Sequence, residues 1–386
     1  MNKHTAEVVI IGAGIVGASI AYHLAIRGCT DVLILEKAEA PIMGSTALSA
    51  GGARHEFSRE VNIRLSKYSI ERFKNFKEEI GEDAGFRQTG YLFLINDEDT
   101  WREYQKQAEL QRSLGVRVEL LDPRDVLEYV PGTRLDDILG VVYGADDGFC
   151  DPYGIANGYL KRARELGVQV ALSSPVIGAQ VKSEHSIIVE TPDGLVNSKF
   201  VVNATGAWSG QVASLFGVDL PVLPYRRNAY MTEGFPKFPN PIPLTFDVDS
   251  GFWMRKEQDS ILFGMANSND PAGVNLNVDW DWMLDVLDAG INRFPVLEEA
   301  RLAKKKCWAG LYEISPDHMP ILGRHPEMPN YLHASGFSGH GVMHSPATGM
   351  LIAEEILDGR AHSINIDELR IIRFENMSVK NETNVF

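Results

Sequence analysis

VVIIGAGIVG, residues 8–17, is the stretch from which the fold can be read. Four apolar residues run into Gly12-Ala13-Gly14-Ile15-Val16-Gly17, a helical pattern follows over 18–27, and a second apolar run at 31–35 ends in Glu36. Strand, glycine turn, helix, strand and acid within about 30 residues is the context in which spaced glycines bind a dinucleotide. Gly12 permits the tight turn, Gly14 lets backbone approach a pyrophosphate, and Gly17 lets helix and strand pack closely. The helix start at Ile15 and Val16 offers N–H groups and partial positive charge to phosphate. Glu36 is placed to accept from a ribose 2′-OH, and its charge would repel a 2′-phosphate. Residues 8–26 contain no Asp, Glu, Lys or Arg, so a membrane span or signal peptide is the competing reading. Three glycines and a histidine interrupt the run, a new strand follows Arg27-Gly28 at once, and no small-residue cleavage site lies behind a basic segment. A cytoplasmic protein with no integral membrane segment is expected.

Composition sets the bounds. At 386 residues, 44% hydrophobic and 23% charged, the chain is long enough for two domains with sizeable cores. A net charge of -15 leaves no basic footprint for nucleic acid, although it says nothing about the sign of a local pocket. Cys29, Cys150 and Cys307 are scattered, forming neither a metal pair nor a CxxC, which fits a reducing compartment and no metal.

Residues 44–52, GSTALSAGG, have little to bury and read as backbone lying close against something flat. Val61, Leu65, Tyr68, Ile70, Phe73 and Phe76 recur at helical spacing and predict a helix over 58–79. A first excursion, 86–142, holds a strand at 89–95, a charged helix at 97–114 and a short helix at 122–129. The chain then returns with a helix over 153–166, strands at 168–172 and 187–190, and at 200–208 a strand, glycine turn and helix start once more. A second excursion, 216–329, carries strands at 227–232, 252–255 and 261–264 and a helix at 280–294. A strand at 331–335, the loop GFSGHG (336–341) and an amphipathic helix from about 346 to 357 close the pattern. Strand-rich excursions set between βαβ pieces predict an α/β protein with an inserted α+β domain.

Four separated motifs agree: GAGIVG (12–17) with Glu36, ATGAW (204–208), PDHMPILG (316–323) and GFSGHGV (336–342). In this order and spacing they resemble the D-amino-acid oxidase superfamily of FAD-dependent oxidoreductases. The nearest resemblance is to the branch of monomeric sarcosine oxidase and the β subunits of heteromeric sarcosine oxidase and dye-linked proline dehydrogenase. It covers all but the last dozen residues. It implies a Rossmann-like FAD domain of the GR2 type (1–85, 143–215 and 330–386) and a substrate domain with a mixed, mostly antiparallel sheet (86–142 and 216–329). The residues favour FAD over nicotinamide independently. The chain has a second strand–glycine turn (Ala204, Thr205 and Gly206, then Trp208) and a late glycine loop (Gly339, Gly341) before a helix. N–H groups of Gly341, Val342 and Met343 would stabilise negative charge at the flavin pyrimidine edge.

Other site residues come from the resemblance. It sets Gly44, Ser45 and Thr46 along the phosphates and flavin, Lys37 beside Glu36, and Val176 at the adenine, although Val176 is equally an ordinary strand residue. Arg54 follows the small-residue run where the family places an arginine for the substrate carboxylate; a surface pairing with Glu56 or Glu60 is the alternative. Tyr312, Phe252, Trp253, His340 and Met343 are candidates for pocket walls and polar contacts. Gly310 stands where monomeric sarcosine oxidases carry the flavin-linking cysteine, with Cys307 three residues upstream, so FAD should be non-covalent. The strand at 260–264 has no lysine, Lys256 reads as a turn charge, and Met343 replaces a carboxylate-binding lysine. These departures favour a dehydrogenase that reacts weakly with oxygen and passes electrons to another acceptor or partner subunit; a homo-oligomer is also open. The expected reaction is oxidation of the C–N bond of a small secondary or N-methylated amino acid. A primary amino acid or 2-hydroxy acid, or a flavin-bearing assembly subunit with little turnover, are the rivals.

Overall fold

Val8, Val9, Ile10 and Ile11 are all buried, so the strand they form is covered on both faces and belongs at the centre of a parallel sheet. The computed structural model describes residues 5–375 and 379–385. It begins with β1 (Thr5–Ile11), α1 (Ile15–Ile26) and β2 (Val32–Leu35), then β3 (Gly52–Ala53), α2 (Glu60–Lys74) and α3 (Phe76–Ile80). The first excursion is β4 (Tyr91–Ile95), α4 (Glu98–Ser113), β5 (Val118–Leu121), α5 (Val126–Tyr129) and β6 (Gly140–Gly144). The chain returns through β7 (Gly148–Phe149), α6 (Pro152–Glu165), β8 (Gln169–Ala171), β9 (Gly178–Ser183), β10 (Ser186–Thr191), β11 (Gly194–Asn203) and α7 (Ser209–Ser214). The second excursion is β12 (Leu223–Met231), β13 (Leu244–Asp247), β14 (Phe252–Glu257), β15 (Ser260–Gly264), α8 (Trp282–Arg293) and β16 (Trp308–Ile314). β17 (Ile321–His325), β18 (Met328–Ser335) and α9 (Gly341–Leu357) complete it.

Two eight-stranded sheets result. The first runs β17-β18-β11-β1-β2-β8, with the β9–β10 hairpin continuing from β11; β1 pairs in parallel with both β2 and β11. The second runs β16-β12-β15-β14-β13-β4-β6-β5, antiparallel throughout except for the parallel β13–β4 pair. That is the expected α/β architecture with a mixed, mostly antiparallel second sheet. β17 joins the first sheet from residues 321–325, ahead of residue 330 where that half was expected to resume, and β6 extends the second sheet to Gly144.

Local differences from the sequence pattern have physical causes. The helix expected over 58–79 divides at Asn75, and its N-terminus is capped from far away: Glu382 accepts from Ser58 N (2.8 Å) and Arg59 N (3.3 Å). The last helix begins at Gly341, five residues earlier than expected, and is buried on nearly every side rather than amphipathic. Pro346 inside it cannot donate a hydrogen bond. Ser345 Oγ compensates locally, donating to the Val342 carbonyl at 2.8 Å. α1, apolar all round, packs between α6 and α9.

Candidate active site

Strand order in the first sheet reverses between β1 and β11, and a crevice outside the carboxyl ends of those strands is where such folds bind ligands. A cavity of about 840 Å³ opens there and continues to the second sheet. Its walls are the ends of β1 and β2, the loops at 42–52 and 174–177, the turn after β11, and parts of β12, β14, β16 and α9.

The end at β1 is built mainly from backbone. Gly12 adopts φ 105°, and a Cβ there would stand 2.5 Å from the Ala204 carbonyl oxygen, so only glycine lets the first and middle turns meet. Gly17 lies behind the cavity rather than on its wall: its missing Cβ leaves room for the Gly12 carbonyl, the packing role expected of it. Thr46 Oγ1 accepts from Ile15 N at 3.1 Å, fixing the small-residue loop to the start of α1. Glu36 accepts from Ala13 N (2.8 Å) and Ala38 N (2.9 Å), so one carboxylate braces the glycine turn while its remaining lone pairs face the cavity. Lys37 Nζ sits 3.1 Å from the Trp208 ring centroid, and burial lowers its pKa. Val176 is in the loop between β8 and β9 and not in a strand, and it lines the cavity beside Glu36.

The late turn is tied to β16 by an acid the sequence did not single out. Glu313, on β16, accepts from Gly336 N at 3.1 Å, and its backbone carbonyl accepts from Ser338 N at 3.0 Å. Burial raises its carboxyl to about 7. The turn then brings Gly339 against Tyr312, whose ring would lie 2.4 Å or more from any added Cβ, and delivers Gly341, Val342 and Met343 to the cavity wall.

Arg54, Tyr312, His340, Trp253 and Arg227 converge at the far end. Arg54 is buried, not a surface residue: its guanidinium donates to the backbone carbonyls of Glu56 and Asn384 and lies 4.1 Å from the Phe57 ring centroid. The 379–385 segment, beyond the reach of the family motifs, therefore helps orient it. Behind Arg54, Glu56 and Asp147 are buried together, and burial pushes Asp147 to about 7 and Glu56 well above its usual value. His340 packs edge-on against the other face of this region, 4.7 Å from the Phe57 centroid. Burial first, then Arg54, His344 and His318, hold it well below the ordinary imidazole pKa, and among the described residues its Nδ1 has no partner.

Two expectations need correction. Phe252 is fully buried away from the cavity, against Gly290 and Phe294, because successive residues of a strand face opposite ways: Trp253 takes the cavity side of β14. Lys256 is not a turn charge but a buried strand residue, its Nζ donating to the Phe235 carbonyl at 2.8 Å. Cys307 faces Met231 N and the Ala303 carbonyl, and among the described residues no cysteine lines the cavity; Gly310 does.

The sequence model of the family described as DAO, FAD-dependent oxidoreductase, matches residues 7–355. The chain belongs to this family. It is 31% identical over 92% of its length to rat (Rattus norvegicus) mitochondrial dimethylglycine dehydrogenase, of which it spans 43%. It is likewise 31% identical to FAD-dependent oxidoreductase domain-containing protein 1 of Xenopus laevis, covering 98% of this chain and 85% of that one. The crystal structure of L-proline dehydrogenase from P. horikoshii superimposes with a TM-score of 0.89 at 30% identity, over 97% of this chain and 99% of that one. The chain thus spans less than half the length of the dimethylglycine dehydrogenases it matches, but nearly the whole of the proline dehydrogenase chain.

The cavity of this flavoprotein suits FAD on its own chemistry. Backbone that would clash with any Cβ lies at the first turn, α1 begins there, and the N-terminus of α9 lies at the opposite end. Gly12, Gly14, Thr46, Glu36 and Val176 would hold the nucleotide end; Gly44, Ser45, Gly339 and Met343 would hold the flavin end. Arg227, Tyr91 and Glu313 also line the cavity and were not anticipated. Strand alternation is the only signal for Arg227, and Arg226-Arg227 does not reveal which of the two faces inward.

Proposed function

We propose that the chain oxidises the C–N bond of a small secondary or N-methylated amino acid of the sarcosine or proline kind. The first-sheet half would carry the cofactor and the second-sheet half the substrate, the two meeting at the cavity. Bound FAD supplies a two-electron acceptor that takes hydride from the carbon beside the nitrogen. The observation that carries the reading is the far end of the cavity, where aromatic walls and buried arginine face the turn leading into α9.

The protein's part is positioning and charge. Arg54, held by two carbonyls and the Phe57 face, is set to pair a carboxylate. Tyr312 and Trp253 bound the space for the N-substituent. His340, kept neutral by burial, can accept a hydrogen bond from the substrate nitrogen. Lys37 is the only lysine among the described lining residues, and it lies at the nucleotide end. With no lysine at the flavin end to favour oxygen, we assign a dehydrogenase that uses another acceptor or partner subunit. FAD is non-covalent in this reading, because no thiol of the described residues lines the cavity. A cytoplasmic, reducing setting accords with three unpaired cysteines; no helix of the described residues is long and apolar enough to cross a membrane.

An anaerobic screen for bleaching of the flavin absorbance tests this. Sarcosine, N,N-dimethylglycine or proline should bleach it and glycine and lactate should not. Bleaching by a 2-hydroxy acid alone, or by no amino acid, would contradict it.

A further inference from the structure

β12 carries two successive arginines whose surroundings differ completely. Arg226 points away from the cavity and is saturated with charge: Asp270 at 2.8 and 3.0 Å, Asp279 at 2.7 Å. Arg227 faces the cavity. Its Nη1 donates to the Arg226 carbonyl at 2.9 Å, and its guanidinium carbon lies 5.1 Å from the Tyr312 ring centroid. Among the described residues its buried Nε has no partner and no carboxylate pairs with it. Burial of this group lowers its pKa. A desolvated guanidinium without a counter-charge is costly, and the cost is recovered only when an anion enters. Arg54, on the loop after β3, lines the same cavity, and both guanidinium charges act on Tyr312. Across the substrate end, Trp253 and the neutral His340 add no negative charge. Two cations acting on one tyrosine in one cavity match a ligand with two anionic groups.

We propose that Arg227 is a second carboxylate anchor, so that the substrate is a secondary amine bearing an acid on each arm, an N-carboxyalkyl amino acid. Arg54 takes one carboxylate, Arg227 the other, and the amine nitrogen lies between them near Tyr312 and His340. This rests on the function proposed above and narrows its substrate class.

Two thioethers test it without turnover: (methylthio)acetate, with one carboxylate, and thiodiacetate, with two. Each is titrated into FAD-loaded protein and followed by the shift in flavin absorbance. Thiodiacetate should bind about tenfold or more tightly than the monoacid, as one added charge-assisted pair implies. Arg227→Gln should abolish that preference while leaving the monoacid within about twofold, and Arg227→Lys should restore part of it. Equal affinities in the wild type, or a preference that survives in Arg227→Gln, would overturn the proposal. A flavin that responds to neither acid would overturn the underlying reading of an amino-acid pocket, a distinct failure.

Discussion

The two ends of the cavity are made of different materials. At the nucleotide end the contacts are backbone: a turn at Gly12, the start of α1, one bracing acid, Glu36, and the loop hydroxyl of Thr46. At the substrate end they are side chains from β12, β14, β16 and the loop after β3, brought together from across the sequence. Backbone sites depend on where a Cβ cannot be, and side-chain sites depend on which face of a strand looks inward. Substitutions at the first end should therefore remove cofactor, and at the second end change chemistry with cofactor retained.

The largest effect is expected at the first end. Gly12→Ala places a Cβ on the Ala204 carbonyl at a left-handed φ, so purified protein should lose most of its bound flavin, roughly a hundredfold in affinity. Flavin content per chain, read from absorbance, checks this; normal content would mean the turns do not meet as described. Arg54→Ala should keep the flavin but slow its anaerobic reduction by roughly a hundredfold or more, the consequence of losing a buried charged partner. Retained flavin with unchanged reduction would separate Arg54 from the substrate.

Glu382→Ala is a milder probe of the same arginine. Glu382 holds the 379–385 segment on the start of α2, and Asn384 in that segment caps Arg54. Removing the cap should cost about 1–2 kcal/mol of stability, seen as a lowered thermal midpoint. KM should rise more than kcat falls, because Arg54 is left looser rather than absent. A lowered midpoint with unchanged KM would make the segment a brace for α2 alone.

The remaining effect concerns pH and leaves both ends of the cavity in place. Burial raises Glu313 to about 7, above its unfolded value. The folded state therefore favours the protonated acid, and the stability it confers is complete below about pH 4.5 and lost as pH rises through 7. Glu313→Gln should flatten the fall in thermal midpoint between pH 5 and 8 by the equivalent of roughly 2–3 kcal/mol at most, at about 1.4 kcal/mol per unit. Asp147, also near 7, has the same sign and will leave part of the slope in place.

The same contrast explains what could be read in advance. Gly12, Glu36 and Gly206 announce themselves because glycine spacing and strand–helix alternation are local properties. The mixed second sheet could be inferred only coarsely: β13 and β17 are short and lie next to proline or glycine, and β16 mixes small, polar and apolar residues. Trp253 and Phe252 were equally good wall candidates until the pleat assigned them to opposite faces. Arg227 had no distinguishing mark beside Arg226, since only the aspartates at 270 and 279, more than forty residues on, reveal which arginine is satisfied. The capping of α2 by Glu382 spans 324 residues and leaves no local trace. Register and long-range pairing are tertiary facts, so the substrate end was the part least visible in the chain.

Crystallography of the protein purified with FAD tests the central claim most directly. The pyrophosphate is predicted at Gly12–Gly14 and the start of α1, with the isoalloxazine ring at Gly339–Met343 facing Arg54 and Arg227. Flavin seated elsewhere, or a ring turned away from both arginines, would contradict it.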